Sequence, residues 1–297
     1  MRLLKLERVL AATDLDPSSD AALESASRLA DAAGARLHIA YVVPADEAQT
    51  GTATASDSEA RVTDTLRRVG VSCEPNRIHV VPGTPEAALS DLSARIVSDV
   101  TVLGRHRRRP DLPAESGIGN TAYAIIARAL TPCLVTSRPL NLPIRRVVVA
   151  IDTSETARGA LLVALSWASA LRSSTAAGDP RLTALHVETG QRSSPDHDHL
   201  KRTIDHELDI LRRSAGSWAG VTVEGATETD LDPVKAITRY AADHEADLVV
   251  LGTRGLSADK TARFGSVSAA VTRQMEMPVL LVPPAIWRTY VRDMDYF

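Results

Sequence analysis

The chain predicts two tandem α/β domains, each an open five-stranded parallel sheet with helices on both faces. Three observations predict it: a repeat that fills the chain, short apolar runs of strand length, and helical spacings between those runs. Length agrees, because 297 residues make about two domains of ordinary size.

The repeat is read directly. "RVLAATDLDPSSDAALESASRLA" from Arg8 returns as "RVVVAIDTSETARGALLVALSWA" from Arg146, with Asp14 against Asp152. Pro85 and Gly104 match Pro233 and Gly252, and Pro132 matches Pro278. The join falls in "RPLNLPIR", Arg138 to Arg145, whose prolines disfavour a continuing helix or central strand. The expected domains are therefore residues 1–140 and 141–297.

In the first copy the apolar runs are Val9 to Thr13, Leu37 to Val43, Ile78 to Val81, Val100 to Leu103 and Cys133 to Thr136. In the second they are Val147 to Ile151, Leu182 to Val187, Val221 to Val223, Leu248 to Leu251 and Val279 to Val282. Runs so short, apolar and rich in Val, Ile and Leu fit parallel strands buried on both faces. Between them lie amphipathic helices. One starts at Pro85, with Ala88, Leu89, Leu92 and Ile96 on one stripe. A second runs from about Leu200 through Ile204, Leu208 and Leu211. In such sheets ligands sit at the carboxyl ends of the strands.

Two strand ends of the second copy carry chemistry. The first ends in Asp152, and the fourth runs into Gly252-x2-Gly255-x9-Gly265-Ser266, which opens the helix "SVSAAVTRQM". Gly252 and Gly255 are expected to turn a loop with positive φ and present amides to a phosphate. Gly265 would let the phosphate reach the free amides of a helix's first turn, and Ser266 adds a hydroxyl. Asp152 would accept ribose hydroxyls or hold a metal ion, although capping the following helix is its plainer use.

The tandem arrangement, Asp152, "LHV" at Leu185 to Val187 and "LGTRG…GSVS" resemble the universal stress protein family. The resemblance covers nearly the whole chain up to Pro284. It implies Rossmann-like domains and ATP bound to the second, with Mg2+ or Mn2+ accompanying it at Asp152. It places Asp152 at the ribose and metal region and the Val187 backbone on adenine. Gly252, Arg254, Gly255, Gly265, Ser266 and Val267 come to the phosphate side.

The first copy keeps Asp14 and Gly104 but has Arg107 where the second glycine belongs, and Gly119-Asn120 where Gly265-Ser266 stand. Its loop is longer by two residues, so it reads as a degenerate copy. The basic run Arg105 to Arg109 reads as a solvated loop. Gly117-x-Gly119-x-x-Ala122 lacks the acidic residue of a dinucleotide site. "GVTVEGAT" at Gly220 has Ala226 where a phosphate loop needs lysine. Asp196 to His206 reads as a solvated loop entering a helix rather than a metal site.

Composition excludes other classes. Hydrophobic residues at 44% and charged ones at 24% argue against long disorder. No apolar run reaches the length of a membrane helix. A net charge of -3 and aromatics at 3% argue against nucleic acid. Cys73 and Cys133 make neither a disulfide framework nor a zinc cluster. "MRLLKLE" is too charged for a secretory signal, so the cytoplasm is expected.

No nucleophile elbow is present, and the Ser-Gly-Gly-x-Asp-Ser loop of adenylating ligases follows neither first strand. The reading is a nucleotide-binding regulator of stress response, acting through its conformation or a protein client. It has no assigned catalytic residue and at most weak ATP hydrolysis. The alternatives are a tandem module that binds partners without nucleotide, and a slow ATP hydrolase. The final strands, Pro132 to Ser137 and Pro278 to Pro283, are expected to pair within one chain as a pseudo-dimer. The tail, with Trp287, Tyr290, Val291 and Met294 on one helical stripe, would either join a homodimer or pack on its own domain.

Overall fold

The computed structural model describes residues 5–43, 54–105, 120–152, 154–172, 178–189, 220–255 and 264–294. Two compact units divide the chain. Unit one is Leu6–Leu140 with Glu276–Pro278, and unit two is built from Asn141–Met275 and Val279–Phe297.

In unit one the strands are β1 (Arg8–Thr13), β2 (Arg36–Val43), β3 (Ile78–Pro82), β4 (Val100–Gly104) and β5 (Cys133–Thr136). They lie in the order β3-β2-β1-β4-β5, and the pairs are parallel. Between them run α1 (Asp20–Ala33), α2 (Ala55–Val69), α3 (Pro85–Ile96) and α4 (Asn120–Arg128). Val100 to Leu103 are all buried. Successive side chains point to opposite faces, so helices cover both. The helices pair accordingly, α1 with α2 and α3 with α4.

Local chemistry sets the helix ends. Thr54 and Asp57 form a reciprocal capping box at the start of α2, and Gly70 ends it at φ 78°. Pro85 opens α3 as expected, and Leu89 and Leu92 are its buried stripe.

Unit two repeats the plan with β6 (Arg146–Ala150), β7 (Arg181–Glu188), β8 (Thr222–Thr229), β9 (Leu248–Gly252) and β10 (Val279–Val282). The order is β8-β7-β6-β9-β10, again parallel. Its described helices are α5 (Glu155–Ala170), α6 (Pro233–Asp243), α7 (Ser266–Gln274) and α8 (Pro284–Met294).

One strand corrects the sequence expectation. β8 spans eight residues, not Val221 to Val223, because its pattern "TVEGATET" is only half buried. An edge strand covered in part needs no apolar run, so hydrophobicity undercounts it. The false phosphate loop at Gly220 is this strand.

The expected helix from Leu200 to Leu211, the stretch Asp196 to His206, and Gly117 to Gly119 lie outside the described residues. In the tail, Trp287 packs on its own unit: a Cβ on Gly159 of α5 would sit 3.5 Å from the Trp287 Cβ. The side chains of Tyr290, Val291 and Met294 lie outside the described ones.

Candidate functional site

The carboxyl ends of β6, β7 and β9 and the start of α7 surround one cavity of about 290 Å³. Asp152, Val187, Gly252, Arg254, Gly255, Gly265, Ser266 and Val267 all line it. Residues as far apart in sequence as Asp152 and Val267 thus meet because parallel strands deliver their ends to one edge of the sheet.

Asp152 Oδ1 accepts from the Ser154 amide at 2.9 Å. Ser154 then caps α5 by accepting from the Ala157 amide at 3.2 Å. Asp152 therefore shapes the turn that starts the helix while its carboxylate stays on the cavity wall. Asp14 shapes the matching turn in unit one, accepting from the Asp16 amide at 3.1 Å.

The glycines depart from their expected reason. Gly252, Gly255 and Gly265 all have negative or extended φ, so positive φ is not what requires them. Close approach is. A Cβ on Gly252 would lie 2.7 Å from the Thr156 Cβ and 2.9 Å from the Thr156 carbonyl carbon. On Gly255 it would lie 2.8 Å from Asp152 Oδ2. Gly252 thus lets β9 end against the first turn of α5, and Gly255 leaves room for the carboxylate.

Gly265 is the N-cap of α7 with no side-chain cap bond. Its own amide donates to the Thr253 carbonyl at 2.7 Å, so it is not a free donor. The first intrahelical bond runs from the Ala269 amide to the Gly265 carbonyl at 2.9 Å. The amides of Ser266, Val267 and Ser268 come before it and have no carbonyl partner in the helix. They sit where the macrodipole favours an anion.

Three hydroxyls and a guanidinium complete this side. Ser268 Oγ donates to the Gly252 carbonyl at 2.7 Å, tying α7 to β9. The Thr156 hydroxyl, within reach of Ser154 Oγ at 3.0 Å, donates to the Arg254 carbonyl. Arg254 Nε is buried with no hydrogen-bond partner, as expected of a donor shaped for a ligand or water.

The opposite wall is main chain. The Ile151 amide donates to the Leu185 carbonyl at 2.8 Å, so the peptide groups of Leu185 face β6. Peptide direction alternates along a strand, so those of Val187 face the same way. β6 has ended there, its last pair with β7 being Ala150 with Leu185. One N–H and one C=O of Val187 thus look into the cleft.

His186, buried between them, donates from Nδ1 to the Ile151 carbonyl at 3.0 Å and braces this edge. Sequence reasoning missed His186 and Thr156. "LHV" held the first in plain view, whereas nothing local marks the second.

Asp152 is the one carboxylate among the described lining residues, and no described cluster of three or more His, Cys, Asp or Glu could hold a metal. A divalent cation here would need ligands from a bound phosphate, the usual habit of Mg2+. Neither cysteine offers a nucleophile. Burial pushes the Cys133 thiol up to about 12, and burial likewise raises Cys73.

In unit one, Gly104 closes on the Ser19 Cα as Gly252 closes on Thr156: a Cβ would lie 2.9 Å away. Asn120 begins α4, with its side chain outside those described. Arg107 and Gly119 lie outside the described residues. No helix of the described chain is long and apolar enough to cross a membrane.

Comparison with known proteins bears on the fold and the family. A universal stress protein of Thermus aquaticus is 32% identical over 145 residues, 46% of this chain and 98% of that protein. A Synechocystis universal stress protein is 26% identical over 221 residues, 74% of this chain and 69% of its own length. The crystal structure of a universal stress protein from Archaeoglobus fulgidus superposes with a TM-score of 0.65 at 19% identity, covering 94% of this chain and 97% of that one. The universal stress protein family model matches twice, over residues 5–137 and 143–283. With a Rossmann-like sheet in each half and both halves matched, the chain belongs to the universal stress protein family, as a tandem of two of its domains.

Proposed function

We propose that unit two binds an adenine nucleotide, ATP with Mg2+ or Mn2+, and that occupancy of the cleft controls contact with a protein client during stress. The observation that carries this is the pairing of two walls across one cavity. The Val187 N–H and C=O offer one donor and one acceptor in a plane, as the edge of adenine requires. The unpartnered amides of Ser266 to Ser268 and the buried Arg254 Nε offer donors to phosphates.

A volume of about 290 Å³ stands at the small end of ligand cavities, nearer a mononucleotide than a dinucleotide. Asp152, assigned to the ribose between the walls, is the one carboxylate among the described lining residues, and its Oδ1 is already engaged. The first domain, with Arg107 in the glycine position, is assigned no nucleotide.

Titration calorimetry with ATP and Mg2+ tests the reading. One site per chain is expected, with Gly265→Val obstructing the first turn of α7 and weakening binding at least about tenfold, some 1.4 kcal/mol. Absence of binding by the wild type, or unchanged affinity in Gly265→Val, defeats it.

A further inference from the structure

Unit one holds a second group of able side chains, where its strands begin. Arg8 lies opposite Arg36, Leu10 opposite His38, and Ala40 opposite His79. Alternate residues share a face, so Arg8, Arg36, His38 and His79 share one. It is the face under α3, which packs on β1 and β2. Arg8 Nε donates at 3.0 Å to the carbonyl of Ile96, the last residue of α3, next to Arg95.

The histidines meet nitrogen to nitrogen. His38 Nδ1 is 3.1 Å from His79 Nε2, the ring planes lie within 13°, and the centroids are 5.4 Å apart. That separation is the N···N gap plus about one ring radius on each side, so the rings lie in line rather than face to face. One ring donates and the other accepts.

The surroundings are cationic and incompletely balanced. Burial foremost, then His79, Arg77, Arg36 and Arg8, hold His38 down at about 4. Burial and then Arg95 lower His79. Of the carboxylates nearby, Glu7 lies 3.8 Å from Arg8 and Glu74 3.1 Å from Arg77. Asp99 Oδ2 is occupied by the amides of Glu7 and Arg8, each at 2.7 Å. Among the described residues Arg36 and Arg95 make no ion pair, and Arg8 Nη1 is buried without a partner. An orphaned buried guanidinium nitrogen marks a place for a missing acceptor.

We propose that Arg8, Arg36, Arg77 and Arg95, with the His38–His79 pair, form a site for a phosphate-class oxyanion, and that the pair takes up a proton from solvent as the anion binds. Guanidinium groups supply forked donors for such an anion. The added proton goes to the outward nitrogen of the donating ring, which still donates to its neutral neighbour, so the N–H···N contact survives. The anion offsets the field that keeps the pair neutral, and each unit by which it raises the pair's affinity for protons makes binding about tenfold tighter in acid than in base.

The test uses the full chain and sulfate, which does not titrate near neutrality. Imidazole nuclear magnetic resonance signals of His38 and His79, assigned with His38→Gln and His79→Gln, should shift saturably at pH 6. Calorimetry in two buffers of different ionisation enthalpy should show proton uptake, and affinity should fall at least about tenfold by pH 8. Arg36→Gln, at an exposed position, should weaken binding, and His79→Gln should abolish proton uptake. Gly265→Val, in the other cleft, should leave the response of these signals intact.

Inorganic phosphate matching sulfate identifies a free anion, and a stronger response to AMP identifies the phosphoryl end of a larger ligand. The proposal is overturned if neither imidazole responds to sulfate or phosphate, or if the response is unchanged in Arg36→Gln and equal at both pH values.

Discussion

Gly252 and Gly255 stand three apart, yet they answer to different neighbours. A methyl at Gly252 meets the Thr156 backbone at 2.9 Å, which cannot move without the start of α5. Gly252→Ala should cost about 1–3 kcal/mol in denaturant unfolding of unit two. A methyl at Gly255 meets the far end of the Asp152 side chain at 2.8 Å, which can swing away. Gly255→Ala should cost under about 0.5 kcal/mol and, on the reading proposed above, weaken binding of ATP in the presence of Mg2+. Equal effects of the two on stability would refute this division. The glycine spacing was legible in the sequence, but its cause was not. Positive φ is a local property and was guessed locally, whereas the Thr156 contact arises only once β9 ends against α5.

Helix α5 is buried over most of its length, from Thr156 through Ala168, and α8 supplies part of its cover. Arg158 lies over the Trp287 ring at 5.7 Å, and Arg288 reaches Glu155 at 3.6 Å. At Gly159 an added Cβ stays 3.5 Å from Trp287, ordinary contact. Gly159→Ala should therefore be neutral or stabilise by up to about 1 kcal/mol through helix propensity. Gly159→Leu should displace α8, lower stability by about 1–3 kcal/mol and shift tryptophan fluorescence. A tolerated leucine would show that α8 does not dock there. Short buried strands and the Pro85 helix could be read from the chain, because burial writes itself as apolar spacing. β8 was read only as Val221 to Val223, since the rest of this edge strand is polar and half exposed and carries no such mark.

The histidines of β2 and β3 add a pH dependence at the same scale. His38, at about 4 in the fold, lies below its ordinary value, so the folded state binds fewer protons than the unfolded one. Its contribution is complete above about pH 6.5 and is lost as the pH falls towards 4. In anion-free buffer the thermal transition of unit one should drop between pH 7 and pH 5, and His38→Gln should flatten that drop. A transition that stays level in the wild type would contradict the assignment.

Across the molecule, the repeat predicts two domains with one competent cleft, and each unit carries its last strand at an edge of its own sheet. The pseudo-dimer read from the sequence has β5 and β10 satisfying one another within a chain. Hydrogen exchange should find the amides of Leu134 to Thr136 and Leu280 to Val282 protected at high dilution in a verified monomer. Rapid exchange at both strands would rule that pairing out. Homodimerisation through the tail is checked by native mass after deletion of Trp287 to Phe297. The tandem plan was legible because every matched segment recurs in order.

The short reach of β6 beside β7 has one more consequence. What faces the cleft at Val187 is peptide, identical for every residue type, so this wall, the base side in the proposed reading, tolerates sequence drift as long as the strand holds its register. An alanine scan of this wall would find little to remove, and a search for invariant side chains would pass over it. Resistance to drift on one side and dependence on three glycines on the other would make the two halves of this cleft age at different rates among related chains. Replacing the Val187 amide by an ester, which deletes the donor and leaves every side chain in place, would expose the part that substitution cannot.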